Sequence, residues 1–182
     1  WERPQPVPHL NFEPHYEGHL GYTSREPYDA HAVRRACYWS LLIGPPAGVS
    51  YGAHGVWGWH TEARLPVDHP NTGVGPAWWE AARFDGSTSM LHLREFFDAI
   101  PWWRLRPHER LVAIQAGVAD IRQQVVAATT DDGCLAVVYT PVGAELTLDL
   151  RDVALPAYVT WYDPARGVHT DVGRISHPGV HE

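Results

Sequence analysis

The feature that most constrains this chain is a change of sequence pattern near Pro107. Before it, short apolar runs alternate with segments of helical periodicity, which is the order expected of βα units with parallel strands. After it, apolar and polar residues alternate with a period of two, and turn sequences recur about every 10–12 residues. The sequence therefore predicts an α/β part over residues 1–106 and an all-β part over residues 107–182.

Two βα units account for the first part. The segment PVPHLNFEP, residues 6–14, predicts a strand that ends at Glu13, and Asp29 is the predicted N-cap of the helix that follows it. A second strand and two further helices are predicted within residues 47–59, 76–84 and 87–100. Two such units cannot close a sheet, because they leave strand edges and apolar faces without partners. We therefore expect this chain to be the end of a larger α/β domain, with an N-terminal part of the same chain missing.

The second part has the rhythm of an antiparallel β-sandwich. Strands are predicted within residues 110–117, 120–130, 134–141, 144–151 and 157–167. The turn sequences DDG, PVG and DPARG separate several of them. One more strand would be expected where the sequence stops, at GRISHPGVHE, so the last strand of the sandwich is expected to be missing.

Composition argues against two classes of partner and favours a third. The net charge of −7 argues against nucleic acid. No apolar run approaches the roughly 18 residues of a membrane span, so no membrane partner is predicted. Aromatic residues make up 12% of the chain and include nine tryptophans. Such a content is typical of a large buried core or of a cleft in which sugars stack, which makes an oligo- or polysaccharide a candidate partner.

The ends of the two predicted strands carry the residues with catalytic potential. A (β/α) barrel places its catalytic groups at the C-terminal ends of its strands, and glycoside hydrolysis needs two carboxylates. Glu13 ends the first strand, and Glu17 lies in the loop beyond, where it would bind a sugar hydroxyl or face water. The loop after the second strand carries Tyr51, His54, Trp57 and Trp59. These side chains offer aromatic faces and hydrogen bonds to a sugar, although an ordinary polar loop would explain them too.

Five segments of the chain carry a resemblance when they are taken together. They are NFEPHYEG, RRACYWSLLIG, GVSYGAHGVWGW, MLHLREFFDAIPWWRLRP and VTWYDPARG. In this order, and over nearly the whole chain, they resemble the C-terminal part of the apiosidase-like glycoside hydrolases, a family of (β/α)8 TIM barrels. In many members the barrel is followed by a β-sandwich that is often labelled a collagen-binding domain.

The resemblance implies a retaining hydrolase of plant cell-wall or related glycans. It places Glu13 at the end of barrel strand seven, as the nucleophile, and assigns the YGxHxxW segment, residues 51–57, to strand eight and its loop. The substrate-binding residues expected on this basis are Tyr16, Glu17, Tyr51, His54, Trp57 and Trp59. The acid/base carboxylate of the family lies on an earlier strand, outside this chain. We therefore expect the isolated chain to be inactive and to leave a protease-resistant core that begins near residue 107.

The sequence leaves two alternatives to consider, a metal site and a non-catalytic binding module. His15 and His19 are four residues apart, but they follow a strand and are separated by a glycine, so they do not share a helical face as zinc ligands would. We accordingly predict no metal and no other cofactor. The alternative to an enzyme is a non-catalytic carbohydrate- or protein-binding module. Trp161 and Tyr162 are adjacent in a predicted strand, so they point to opposite faces and do not form a row of binding aromatics.

Overall fold

A computed structural model describes residues 7–182 of the protein. The first six residues of the predicted α/β part lie outside this range. The elements of the first half are β1 (His9–Asn11), α1 (Ala30–Leu42), β2 (Pro46–Val49), α2 (Trp78–Ala81) and α3 (Asp85–Asp98). Those of the second half are β3 (Leu105–Pro107), β4 (Val126–Thr130), β5 (Ala136–Tyr139), β6 (Leu148–Asp149), β7 (Ala157–Asp163), β8 (Val168–Ile175) and β9 (Val180–His181). None of the helices within residues 7–182 is long and apolar enough to cross a membrane.

The first half begins as a βαβ unit. Strands β1 and β2 pair in parallel, with Leu10 opposite Gly48 and Asn11 opposite Val49. Helix α1 connects them, and its first turn is capped by Asp29, whose carboxylate accepts a hydrogen bond from the Ala32 backbone N–H at 2.8 Å. The parallel βα order predicted from the sequence is therefore confirmed for this pair.

Helix α3 carries the second apolar stripe. Leu93 and Phe97 are buried on its inner face, and the helix ends just before Pro101. It begins at Asp85, two residues earlier than the sequence pattern suggested. The residue at its N-cap position is Phe84, which has no side-chain oxygen to offer to the first turn.

The second half consists of small antiparallel sheets. Strands β3, β4 and β5 form one sheet in that order, β6 pairs with β9, and β7 pairs with β8. Mixed α and β structure and antiparallel pairing agree with the sequence prediction. The DPARG turn leads into β8, which was not predicted, and it closes the β7–β8 hairpin.

The predicted strand over residues 110–117 does not form. This stretch contains short 3₁₀ turns at Glu109–Leu111 and Ala116–Val118 instead. The reason lies in the Gln115 side chain, which accepts from the Val125 N–H at 2.8 Å and donates to the Val125 carbonyl at 2.9 Å. A side-chain amide thus makes the bonds that a neighbouring strand would have made.

The main hydrophobic core joins the two halves of the chain. Buried residues of α1 and α3 pack with buried residues from β3, β4 and β5; the cluster is Val33, Cys37, Tyr38, Leu41, Leu42, Leu93, Phe97, Leu105, Val126, Ala128, Val137 and Tyr139. The rings of Tyr38 and Tyr139 stack with centroids 4.6 Å apart. The Trp39 indole N–H donates to the Gln124 carbonyl at 3.0 Å. The change of sequence pattern near Pro107 is therefore not a break in the core.

Candidate active site

The predicted nucleophile lies just beyond the C-terminal end of β1. Strand β1 ends at Asn11, because the Asn11 side chain turns the backbone by accepting the Glu13 N–H at 3.1 Å. Glu13 is exposed. Among residues 7–182 its carboxylate has no hydrogen-bond or ion-pair partner. The carboxylate is therefore free to interact with a bound molecule.

The end of β2 lies directly beside this segment. The Ser50 N–H donates to the Asn11 carbonyl at 3.0 Å, and the Ser50 hydroxyl donates to the Phe12 carbonyl. Further along, Glu17 and Ala53 form an isolated parallel bridge. The loops that follow the two parallel strands thus run side by side, and Glu13 and His54 lie at the same end of the strand pair.

Glu17 differs strongly from Glu13, although only three residues separate them. It is buried, with 6% of its surface exposed. Its carboxylate accepts the Tyr51 hydroxyl at 2.6 Å and the Gly86 backbone N–H at 3.0 Å. Gly86 belongs to the first turn of α3, so Glu17 supplies the cap that Phe84 cannot provide.

Only glycine fits opposite the Glu17 carboxylate. A Cβ at Gly86 would lie 2.1 Å from Glu17 Oε2. Sequence reasoning missed this partnership, since a glycine in the first turn of a helix carries no signal of a distant carboxylate. A cavity of 390 Å³ is lined by Glu17, Asp29 and Asp85 among others, and Glu13 is not among its lining residues.

Tyr51 and Tyr16 lie in the interior of the two loops. Burial, followed by the hydrogen bond to Glu17, raises the pKa of the Tyr51 phenol well above its ordinary value, so the phenol stays neutral and donates. The Tyr16 ring packs against Gly52, where a Cβ would lie 2.6 Å from the ring. Both tyrosines therefore contribute to the packing of the loops.

His54 is fully enclosed. It has no exposed surface, and its Nε2 lies 2.8 Å from the Gly73 carbonyl. Burial lowers the pKa of its imidazole below the ordinary value. In this structure the side chain holds the loop together from inside and does not reach solvent.

His19 is a member of the site that the sequence did not identify. The Trp57 indole N–H donates to His19 Nε2 at 2.8 Å. A nitrogen that accepts a hydrogen bond carries no proton, so His19 is neutral in this arrangement. Burial first, and then the neighbouring His54 and His69, lower the pKa of His19 to about 4.

Two exposed tryptophans, Trp57 and Trp59, lie further along the same loop. Trp59 is 63% exposed and stacks on Trp78, with ring centroids 4.7 Å apart and an angle of 8° between the planes. The backbone of Trp59 has a φ of 48°, which is unfavourable for a bulky residue. Trp57 is also exposed, at 39%. The two predicted tryptophans therefore present aromatic surface to solvent, and Trp78 supports one of them.

No metal centre is found within residues 7–182. No group of three or more His, Cys, Asp or Glu side chains in this range is arranged to hold an ion. The histidines near Trp57 contact one another through their rings instead, with the His19 and His54 centroids 4.5 Å apart.

Two solved structures with a similar fold are described as glycoside hydrolases. One, described as a glycoside hydrolase, superposes with a TM-score of 0.79 at 23% identity, over 96% of this chain and 38% of its own length. Another, a glycoside hydrolase family 5 protein from Bacteroides vulgatus, gives 0.77 at 22% identity, over 95% of this chain and 37% of its own. The chain thus spans less than two fifths of these relatives, and the likeness is one of fold. No curated protein matches the chain.

Two family descriptions match consecutive parts of the sequence. The second half, residues 107–182, matches the description "Putative collagen-binding domain of a collagenase". The first part, residues 1–104, matches "Apiosidase-like, catalytic domain". Because the match of residues 1–104 covers more than half of the sequence, the chain belongs to the apiosidase-like family.

Proposed function

We propose that this chain is part of a retaining glycoside hydrolase of plant cell-wall or related glycans, in which Glu13 is the nucleophile. The observation that carries the proposal is the Glu13 carboxylate: it is exposed, has no partner within the described residues, and stands at the C-terminal end of a parallel strand. A loop with exposed tryptophans follows the neighbouring strand. Membership of the apiosidase-like family and the hydrolase fold support the same reaction class.

The small size of the parallel sheet supports the proposed architecture. Residues 1–106 would be the last two βα units of a (β/α)8 barrel, and residues 107–182 a β-sandwich. Within residues 7–182 the β1–β2 sheet has two strands, and Leu10 and Phe12 are exposed beside it. Further parallel strands of the barrel would cover these residues and complete the site.

In the proposed reaction a Glu13 oxygen attacks the anomeric carbon of the sugar. The bond from that carbon to the leaving-group oxygen breaks, and a carboxylic acid about 5–5.5 Å away protonates the oxygen that leaves. The same acid, now a carboxylate, activates a water that cleaves the glycosyl–Glu13 ester. We assign this second carboxyl to an earlier strand of the barrel, outside residues 7–182.

The other predicted residues take two kinds of role in this proposal. Trp57 and Trp59 would stack on the C–H faces of sugar rings, since both are exposed. Glu17 and His54 are buried, and Tyr51 is half-buried and bonded to Glu17. We assign these three side chains the task of holding the tryptophans and Glu13 in place.

The test uses the full-length gene product that contains this sequence. Glu13→Gln should lower kcat by several orders of magnitude on an aryl glycoside without changing the melting temperature. Azide should partly restore turnover in Glu13→Gly, because a small anion can take the place of the lost carboxylate. Glu145→Gln, an exposed glutamate of the second half, is the matched control. Near-normal turnover of Glu13→Gln would refute the assignment.

The alternative, a non-catalytic binding module, has less support. Tyr158 and Trp161 of β7 are 79% and 48% exposed. They are three positions apart in a strand whose register with β8 shifts between Val159 and Thr160. Tyr162 faces inward, where its ring stacks on Phe96. Of the three aromatics in β7, two are thus exposed and the third packs against α3.

A further inference from the structure

The peptide unit that joins Phe12 to Glu13 is held at both of its polar groups. Its N–H, which belongs to Glu13, donates to Asn11 Oδ1 at 3.1 Å. Its carbonyl, which belongs to Phe12, accepts the hydroxyl of Ser50. A peptide unit is planar, so bonds on opposite sides fix its plane. They therefore fix the Glu13 Cα and restrict the directions open to its side chain.

The two side chains that hold this unit are themselves anchored. Asn11 Nδ2 donates to Ser40 Oγ at 2.8 Å, and Ser40 Oγ donates to the Ala36 carbonyl at 2.7 Å within α1. Since the single hydroxyl proton of Ser40 is directed to Ala36, its oxygen accepts from the amide, and the orientation of the Asn11 amide follows. Ser50 is anchored through its own N–H, which donates to the Asn11 carbonyl.

We propose that Asn11 and Ser50 are positioning residues for the Glu13 nucleophile. The inference rests on the proposed function, and it adds two residues that do not touch the substrate. The Glu13 carboxylate has no side-chain partner within residues 7–182, so in the described part of the chain only its backbone places it. A displacement of about 1 Å at a reacting group costs roughly a hundredfold in rate. The clamp on the Phe12–Glu13 peptide, which we call the Asn11–Ser50 clamp, prevents such a displacement.

The kinetic test is made in the full-length gene product. Asn11→Ala and Ser50→Ala should each lower kcat roughly 10–100-fold with little change in KM. Ser50→Thr keeps the hydroxyl and should restore most of the rate. The double variant should lose less than the product of the two single losses, because both bonds hold one peptide unit. Thr140→Val is the control: it deletes a hydroxyl that donates to the Val142 carbonyl at 2.6 Å, in the second half of the chain, and should leave kcat unchanged.

A second measurement does not depend on turnover. The Glu13 amide should be protected from hydrogen exchange in the parent protein, and Asn11→Ala should remove that protection. The clamp would be overturned if both alanine variants kept the kcat of the parent. It would also be overturned if the loss of kcat in each variant were no larger than the fraction of the protein that is unfolded. If the clamp variants keep the parent kcat while Glu13→Gln is inactive in the same assay, the clamp is refuted and the proposed function stands. An active Glu13→Gln would overturn the proposed function and the clamp together.

Discussion

Two glutamates four positions apart along the chain have opposite environments. Glu13 is exposed and without a side-chain partner in the described chain, whereas Glu17 is buried and accepts two hydrogen bonds. The difference follows from the backbone: Glu13 stands at the strand end, and Glu17 has turned inward against α3. At the residue scale, the first glutamate is suited to chemistry and the second to structure.

Replacement of Glu17 tests this division. Glu17→Ala leaves the Gly86 N–H and the Tyr51 hydroxyl without an acceptor, and we expect the free energy of unfolding to fall by about 2–4 kcal/mol. Glu17→Gln keeps one amide oxygen for the same donors and should cost less. Urea unfolding of the two variants measures both values. Equal stability of Glu17→Ala and the parent would show that the carboxylate does not cap α3.

Residues 50–77 behave as one packed element, although they contain little regular structure. His54, His60 and Thr72 are buried inside it. Backbone bonds tie its later part together: the N–H of the following residue, Trp78, donates to the His60 carbonyl at 2.8 Å, and Arg64 and Gly75 form an antiparallel bridge. This internal packing allows a loop to present Trp57 and Trp59 in defined positions.

Trp59 provides the prediction for this element. A bulky residue at positive φ lowers the stability of the fold by roughly 1–3 kcal/mol, and such strained residues cluster at functional sites. Trp59→Ala should weaken binding of an oligosaccharide by roughly 5–30-fold, from the loss of about 1–2 kcal/mol of apolar contact. Calorimetric titration of the full-length gene product measures the change. Trp103→Ala, a similarly exposed tryptophan beyond the end of α3, should have no effect; equal losses in both variants would contradict a platform at Trp59.

The same loop should respond to acid through His19. The pKa of His19 is about 4 in the folded chain and near 6.5 in the unfolded one, so the unfolded chain binds the proton more readily. The stability contribution is complete above pH 6.5 and is lost as the pH falls towards 4. Protonation of Nε2 would also remove the acceptor of the Trp57 N–H.

Thermal unfolding between pH 7 and 4, followed by tryptophan fluorescence, checks this expectation. His19→Gln has no titrating group at this position and should show a smaller loss of stability over the same interval. A parent protein and a His19→Gln variant with parallel pH profiles would contradict it.

Elements with strong local signals were predictable, and those set by distant partners were not. The Asp29 cap and the apolar faces of α1 and α3 depend on residues that are close together in the sequence. The helices accordingly lie close to where they were predicted. The strand expected at 110–117 failed because Gln115 bonds to Val125, ten residues away. The same limit applies to the site: the position of Glu13 was predictable from a strand end, whereas the burial of Glu17 depends on Gly86, 69 residues away.

The whole molecule has a core that crosses the change in sequence pattern. Leu105 of β3 is fully buried among residues of α1, α3, β4 and β5. The sequence pattern alone suggested a second half that would resist proteolysis by itself, from about residue 107. A shared core favours a different behaviour, because β4 and β5 lose part of their apolar cover if the helices unfold.

We expect the two halves of the described chain, residues 7–182, to unfold together. Leu105→Ala should lower the free energy of unfolding by about 2–5 kcal/mol, as expected for a buried leucine. Hydrogen exchange should then accelerate by similar factors in α1 and in β4, since buried residues of both belong to the same core cluster as Leu105. Leu91→Ala, at a position of α3 that is 60% exposed, is the control and should change neither. Faster exchange confined to α1, with a proteolytic product that begins near residue 107, would show instead that the second half folds independently of the helices.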